Sequence, residues 1–161
     1  MTSITRRLLV AVRIGLGFTF FWAFIDKLFG LGLATEPENA WITGGSPTYG
    51  YLTFGTRGPL ASLYQGLAGN LVIDALFMFG LLGLGVALLL GIGMKIAAVG
   101  GPLLMLLLWS AHLPPENNPV IDQHFIYGLV IPALTSAGIG KTWGLGTWWA
   151  EHVGKVIPFL E

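Results

Sequence analysis

Leu71 to Ile92, "LVIDALFMFGLLGLGVALLLGI", carries one charge, Asp74, in a run long enough at about 1.5 Å per residue to cross a hydrocarbon core of about 30 Å. Such a run satisfies its own backbone only as a helix and presents an apolar surface on every side. Leu8 to Leu33 repeats the pattern behind Arg6 and Arg7, with Arg13 near its start and Asp26 and Lys27 near its end. It is too long for a signal peptide and lacks a clear small-residue cleavage site, so it reads as a retained helix. Ile96 to Leu113 forms a third apolar run, interrupted at Gly101 and Pro102, and Val120 to Ile139 a fourth, with Pro132 near its centre. A proline is tolerated there when neighbouring helices satisfy the freed backbone groups. The expected architecture is one all-α integral membrane domain over residues 1–161, a bundle of four transmembrane helices.

Composition agrees with that expectation and removes several functions. Of the 161 residues, 54% are hydrophobic and 10% charged, far from an ordinary soluble domain. Eight basic and eight acidic side chains cancel, leaving no bulk field to draw nucleic acid. The absence of cysteine excludes disulfides, thiolate nucleophiles, iron–sulfur ligation and covalent c-type haem, so redox chemistry would need a dissociable partner. Four spans would put Arg6, Arg7, Lys95, Lys141 and Lys155 on one side and Arg57 on the other, which places both termini in the cytoplasm. Thr35 to Asn70 is too long for a simple hairpin link and holds Trp41, Tyr49, Tyr51, Phe54 and Tyr64; it is expected to fold back as a structured extracytoplasmic cap. The tail, residues 141–161, sets Trp143, Trp148 and Trp149 beside lysines, as an interfacial helix does. Gly15, Gly80, Gly83, Gly85 and Gly100 allow helices to approach closely.

The ionisable residues then fall at one level. Asp26, Lys27, Asp74, His112, Glu116, Asp122 and His124 all lie near the outer ends of the four expected helices, and no such mixture lies at the cytoplasmic ends. Charged groups partly buried in a bundle carry a desolvation cost, which makes a mixed cluster a candidate site. Asn118 is a good N-cap and Pro119 suits the first helical position, which would place Asp122 and His124 in the opening turns of helix four. On a helix, residues two apart face different ways, so Asp122 and His124 converge on one ligand only with help from neighbouring helices, and Asp122 equally suits the positive end of the helix. His124 and Tyr127 share a face and can together hydrogen-bond a carbonyl-bearing ring such as a quinone; an interfacial aromatic pair is the plainer reading. Trp109 and His112 share a face of helix three, an indole to stack and an imidazole to titrate near neutrality. Lys27 points away from Asp26 and is expected to pair with Asp74 or to snorkel, and Arg57 in the cap is placed to meet an anion. No two histidines have metal-ligand spacing, and no metal site is expected.

The first-helix residues Arg13, Gly15, Asp26, Lys27 and Leu28, the stretch "GGSPTYGYL" with "FGTRGPLASLYQGLAGN", the stretch "NNPVIDQHFIYGL" and the tail "GKTWGLGTWW" resemble the DoxX family, near its DoxD-type branch. The resemblance runs over nearly the whole chain. It implies a four-helix protein of a bacterial or archaeal cytoplasmic membrane, the membrane subunit of a thiosulfate:quinone oxidoreductase, working with a second small subunit. It implies thiosulfate oxidised to tetrathionate, with membrane quinone as a dissociable acceptor and no metal or haem. His124, His112, Asp122 and Asp26 would then handle the protons, and Lys27, Arg57, Tyr127, Trp109 and Asp74 would line the binding site. The expected partners are membrane lipid, quinone, and a second subunit, a respiratory complex or another copy of the chain. A competing expectation is a non-catalytic accessory subunit of a redox complex, docking through the aromatic cap and the tryptophan-rich tail.

Overall fold

A computed structural model describes residues 1–116 and 118–160. Asn117, the first residue of one of the motifs above, and Glu161 lie outside the described residues. The chain is all-helical, with no strand among the described residues. Among the described residues two helices are long and apolar enough to cross a membrane: α1 (Ser3–Phe29) and α3 (Leu71–Leu90), about 40 Å and 30 Å long at 1.5 Å per residue. α1 begins where the Thr2 hydroxyl accepts a hydrogen bond from the Thr5 amide at 3.2 Å, and it ends at Gly30 in the left-handed conformation, φ 65°. The helix is therefore displaced toward the N-terminus from the expected Leu8–Leu33, because Thr2 supplies a cap and Gly30 a stop. α3 agrees with its expected limits, capped by Asn70, whose side-chain oxygen accepts from the Val72 amide at 2.9 Å.

α4 (Met94–Ser110) and α5 (Gln123–Ser136) are shorter, at 17 and 14 residues, than the third and fourth runs. The expected start of α5 is corrected. Asn118 does not cap the helix but closes a turn, its side-chain oxygen accepting from the Val120 and Ile121 amides at 2.9 and 3.0 Å. Asp122 is the N-cap, in extended conformation, and takes the Phe125 amide at 3.1 Å. The tail forms a short helix, α6 (Gly146–Trp149), and a π-helical turn over Ala150–Gly154 rather than one continuous helix.

Helix α1 packs on α3 and α4 on α5, with α3 joining the two pairs. Close approach depends on glycine: a Cβ at Gly85 would sit 2.8 Å from the Phe21 backbone, and one at Gly17 would sit 2.8 Å from the Leu89 amide. The core holds Phe20, Leu81, Leu84, Leu88, Met105, Ile131 and Leu134. Charge lies inside as well. Arg13 is fully buried, its guanidinium donating to the carbonyls of Ile139 (2.9 Å), Gly140 (3.2 Å) and Trp143 (2.7 Å). The Leu145 amide donates to the Leu90 carbonyl at 2.7 Å. The start of α1, the end of α3 and the end of α5 thus share one end of the molecule. Phe18, Leu76, Phe79, Leu103, Leu106 and Leu129 face outward.

Between α1 and α3 the chain makes short helical turns at Pro37–Asn39, Trp41–Thr43 and Tyr51–Gly55, and a short helix, α2 (Ala61–Gln65). It is tied to the helix ends: the Tyr64 hydroxyl lies 2.6 Å from Ser110 Oγ, and Ser46 and Thr48 donate to Asp74.

Candidate functional site

The ionisable residues expected at one level divide into two separate groups. On the α1–α3 side, Asp74 accepts from the Ser46 hydroxyl (2.9 Å), the Thr48 amide (3.2 Å) and the Thr48 hydroxyl (2.5 Å). The expected pairing of Lys27 with Asp74 is corrected, because the loop supplies three donors at one oxygen of that carboxylate. Asp26 is buried at the end of α1; one carboxylate oxygen accepts from the Ala34 amide at 3.2 Å, and the other has no hydrogen-bond partner among the described residues. Lys27, half-buried beside it, makes no ion pair with Asp74.

The second group sits between the end of α4 and the start of α5, around a cavity of about 330 Å³ whose lining includes Arg57, His112, Glu116, Asn118, Asp122 and His124. The segment after the π-helical turn Tyr51–Gly55 delivers Arg57 here, its amide donating to the Ala111 carbonyl at 3.0 Å in an isolated bridge with His112. That approach needs Gly58, at φ 80°, where a Cβ would collide with the Leu113 carbonyl. The Arg57 guanidinium pairs with Glu116 at 2.9 Å, at the exposed rim.

Two imidazoles define the interior. His124 Nδ1 lies 2.8 Å from Asp122 Oδ2, and His112 Nδ1 lies 2.7 Å from the Tyr51 hydroxyl. The rings are nearly parallel, 15° apart, with centroids at 6.4 Å. The expectation that Asp122 and His124 point apart is corrected. The helical-face rule fails because Asp122 has an extended backbone, φ −128°, and folds its side chain over the first turn. Burial alone would raise the Asp122 carboxyl, but the hydrogen bonds from His124 and the Phe125 amide outweigh it and hold the group below the ordinary carboxylate value. Burial, with the neighbouring Tyr64 phenol and Asp122 carboxylate, pushes the Tyr51 phenol up, so its hydroxyl keeps its proton.

Trp109 and Tyr127 do not join the cavity lining. The Trp109 indole donates to the Val120 carbonyl at 2.7 Å and lies against Phe125, which latches the segment leading into α5. Tyr127 turns into the core, edge-on to Phe20 at 6.5 Å, so it does not act with His124. Tyr51 is the contributor that residue spacing did not single out. It lies in an aromatic-rich segment without helical periodicity, and only the fold brings it to His112.

The arrangement can do specific chemistry. With Nδ1 of each ring engaged, each imidazole has an Nε2 that takes no hydrogen bond among the described residues and is able to accept or deliver a proton. Arg57 and Glu116 at the rim carry opposite charges in an exposed pair that contributes about 0–1 kcal/mol, so the guanidinium can exchange Glu116 for an incoming anion at little cost. Comparison of the chain with family models, curated proteins and solved structures finds no match to any of them.

Proposed function

We propose that the chain is a multi-pass membrane protein of the DoxX type, near the DoxD branch, in which the cavity between α4 and α5 is the quinone site of an oxidoreductase acting on thiosulfate. The spanning segments in this reading are α1, α3, α4 and α5, with both termini in the cytoplasm, the Thr35–Asn70 segment as an outer cap and the tail at the inner interface. Supporting the membrane placement, leucine and phenylalanine face outward on α1, α3, α4 and α5 while Arg13, Asp26 and Asp74 are buried, the reverse of a water-soluble bundle.

The observation that carries the function is the pair of parallel imidazoles, each tied at Nδ1, in a cavity of about 330 Å³. That volume lies near the low end of ligand pockets, roughly 300–1,000 Å³, and suits a single ring with its isoprenoid tail left in lipid. Two thiosulfate ions lose one electron each and join through a new sulfur–sulfur bond as tetrathionate. The quinone takes those two electrons and two protons to become the hydroquinone. His112 and His124 are the proton donors on this reading, Asp122 stabilises the imidazolium of His124, and Arg57 draws the dianion to the mouth.

The test is thiosulfate-dependent reduction of a short-chain quinone by protein purified in mild detergent, together with extraction of bound quinone, for the native chain, H112Q and H124Q. Loss of turnover by at least about 10²-fold in each variant, with folding retained, supports the assignment. Wild-type turnover in both variants refutes it. A folded native protein without quinone or turnover points to the accessory-subunit reading.

A further inference from the structure

The Leu108 carbonyl lies in the last turn of α4, where helices leave acceptors unpaired, and among the described residues it takes no backbone N–H. The group that reaches it is the Tyr51 hydroxyl, at 3.2 Å. The same hydroxyl lies 2.7 Å from His112 Nδ1. A phenol has one proton, and burial keeps it in place. If that proton went to Nδ1, the Leu108 carbonyl would lose its donor. If it goes to Leu108, the phenol oxygen accepts from a protonated Nδ1, and every group is satisfied. Across the cavity, the carboxylate of Asp122 can only accept, which puts a proton on Nδ1 of His124 as well.

We infer that Tyr51 is a positioning residue which, by donating its hydrogen bond to the Leu108 carbonyl, fixes neutral His112 in the Nδ1–H form, so that both imidazoles of the cavity hold an unprotonated Nε2. The inference rests on the redox reading only for its use. The ligand it specifies is a donor of hydrogen bonds, a hydroxylated ring such as a hydroquinone, in preference to a carbonyl ring. Neutral imidazoles in the opposite form would recognise the quinone instead. The cavity is therefore matched to the reduced product, and each imidazole must first take up a proton before it can supply one to the oxidised ring. The charged and titratable groups around the pair are Asp122 on its own segment, Arg57 from the π-helical turn side, Glu116 from the intervening loop and Tyr64 from α2.

Full-length protein labelled with ¹⁵N-histidine, in detergent at alkaline pH, reports each tautomer from its ring-nitrogen shifts, with H112Q and H124Q giving the assignments. The expected spectrum has both His112 and His124 in the Nδ1–H form. In Y51F, His112 moves to predominantly Nε2–H while His124 stays unchanged, the second ring serving as the internal check on folding. A native His112 already in the Nε2–H form overturns the inference without any variant, as does an unmoved His112 in folded Y51F. Short-chain benzohydroquinone and benzoquinone are then added separately to the native protein. Perturbation of both Nε2 signals by the hydroquinone at lower concentration than by the quinone supports the ligand preference, and the reverse order overturns it. Correct tautomers with no response to either ring uphold Tyr51 as a positioning residue and count against the redox reading.

Discussion

Replacing Asp122 separates two roles that one carboxylate performs. Its Oδ1 caps α5 through the Phe125 amide at 3.1 Å, and its Oδ2 accepts from His124 at 2.8 Å. Asparagine is as good an N-cap as aspartate, so D122N keeps the first role through its one oxygen, while an NH2 donor replaces the charged acceptor that faces His124. The charge acts on the helix dipole, about 0.3–1 kcal/mol, and the NH2 group can meet His124 only as donor to an Nδ1 turned acceptor, a neutral hydrogen bond about 1 kcal/mol weaker than the charged one. D122N should therefore cost about 1–2 kcal/mol. D122A loses the cap, about 1 kcal/mol, and strands the half-buried imidazole N–H, about 1–3 kcal/mol, for a total near 2–4 kcal/mol. For a chain of this size each kcal/mol moves the melting temperature by about 2–4 °C, which is readable by thermal unfolding in detergent. The sign of the pH dependence follows from the direction of the shift. The folded Asp122 carboxyl titrates below its ordinary value of 3.8. Its stabilisation is thus fully present above that value and disappears as pH falls through the lower, folded one. The gap between native protein and D122N should be constant near neutrality and close in acid. A gap that persists in acid, or a D122N variant as damaged as D122A, would refute the assignment of the charge to this pair.

Removing the guanidinium in R13M leaves three carbonyls without their donor and should lower stability by about 3–5 kcal/mol, measured by thermal unfolding; an unchanged midpoint would refute a structural role for this buried charge. G85A forces a methyl against the Phe21 backbone and should cost about 1–3 kcal/mol, whereas G83A, with open space at its Cβ, should be neutral or gain up to about 1 kcal/mol from helix propensity. Equal effects of the two on the melting temperature would deny the close α1–α3 contact. G55A places a methyl 3.4 Å from the Tyr51 ring and 3.8 Å from His112 Nε2, ordinary contacts that leave the fold intact. Quinone reduction should nevertheless fall about 10-fold as access to that nitrogen narrows, and an unaffected rate would place the substrate elsewhere.

How much of this could be read from the sequence depended on what kind of signal each part left. α1 and α3 are legible because a long apolar run with a capping residue and a terminating glycine has few alternatives. The start of α5 was not, because Asn118 and Pro119 look like a helix entry while the Asn118 side chain in fact closes a turn and Asp122 caps the helix four residues later. Which helix end each ionisable residue lies near follows from chain direction alone. Position around the bundle does not, since it depends on which helices pair, and the pairing of α1 with α3 separated Asp26 and Asp74 from the histidines. The role of Tyr51 left no periodic signal, because it arises from a π-helical turn laid across the end of α4.

The number of hydrogen bonds each buried polar group has already made distinguishes support from site. Asp74 accepts three and Arg13 donates three, all to groups that locate a loop or a tail, so both are committed to holding the fold. The imidazoles of His112 and His124, beside a cavity, each have one nitrogen held and one that takes no hydrogen bond among the described residues. Preorganisation of this kind is what a proton-transfer site requires, because a ring fixed through one nitrogen presents the other without reorganising when charge develops. Stability and chemistry should then be carried by different residues. Substitution of Asp74 or Arg13 should lower the melting temperature at every pH while leaving the residual activity of the folded fraction unchanged. Substitution of His112 or His124 by glutamine should do the opposite. A histidine variant that loses activity only in proportion to its loss of folded protein would return the pair to a structural role, and with it the case for a redox site between α4 and α5.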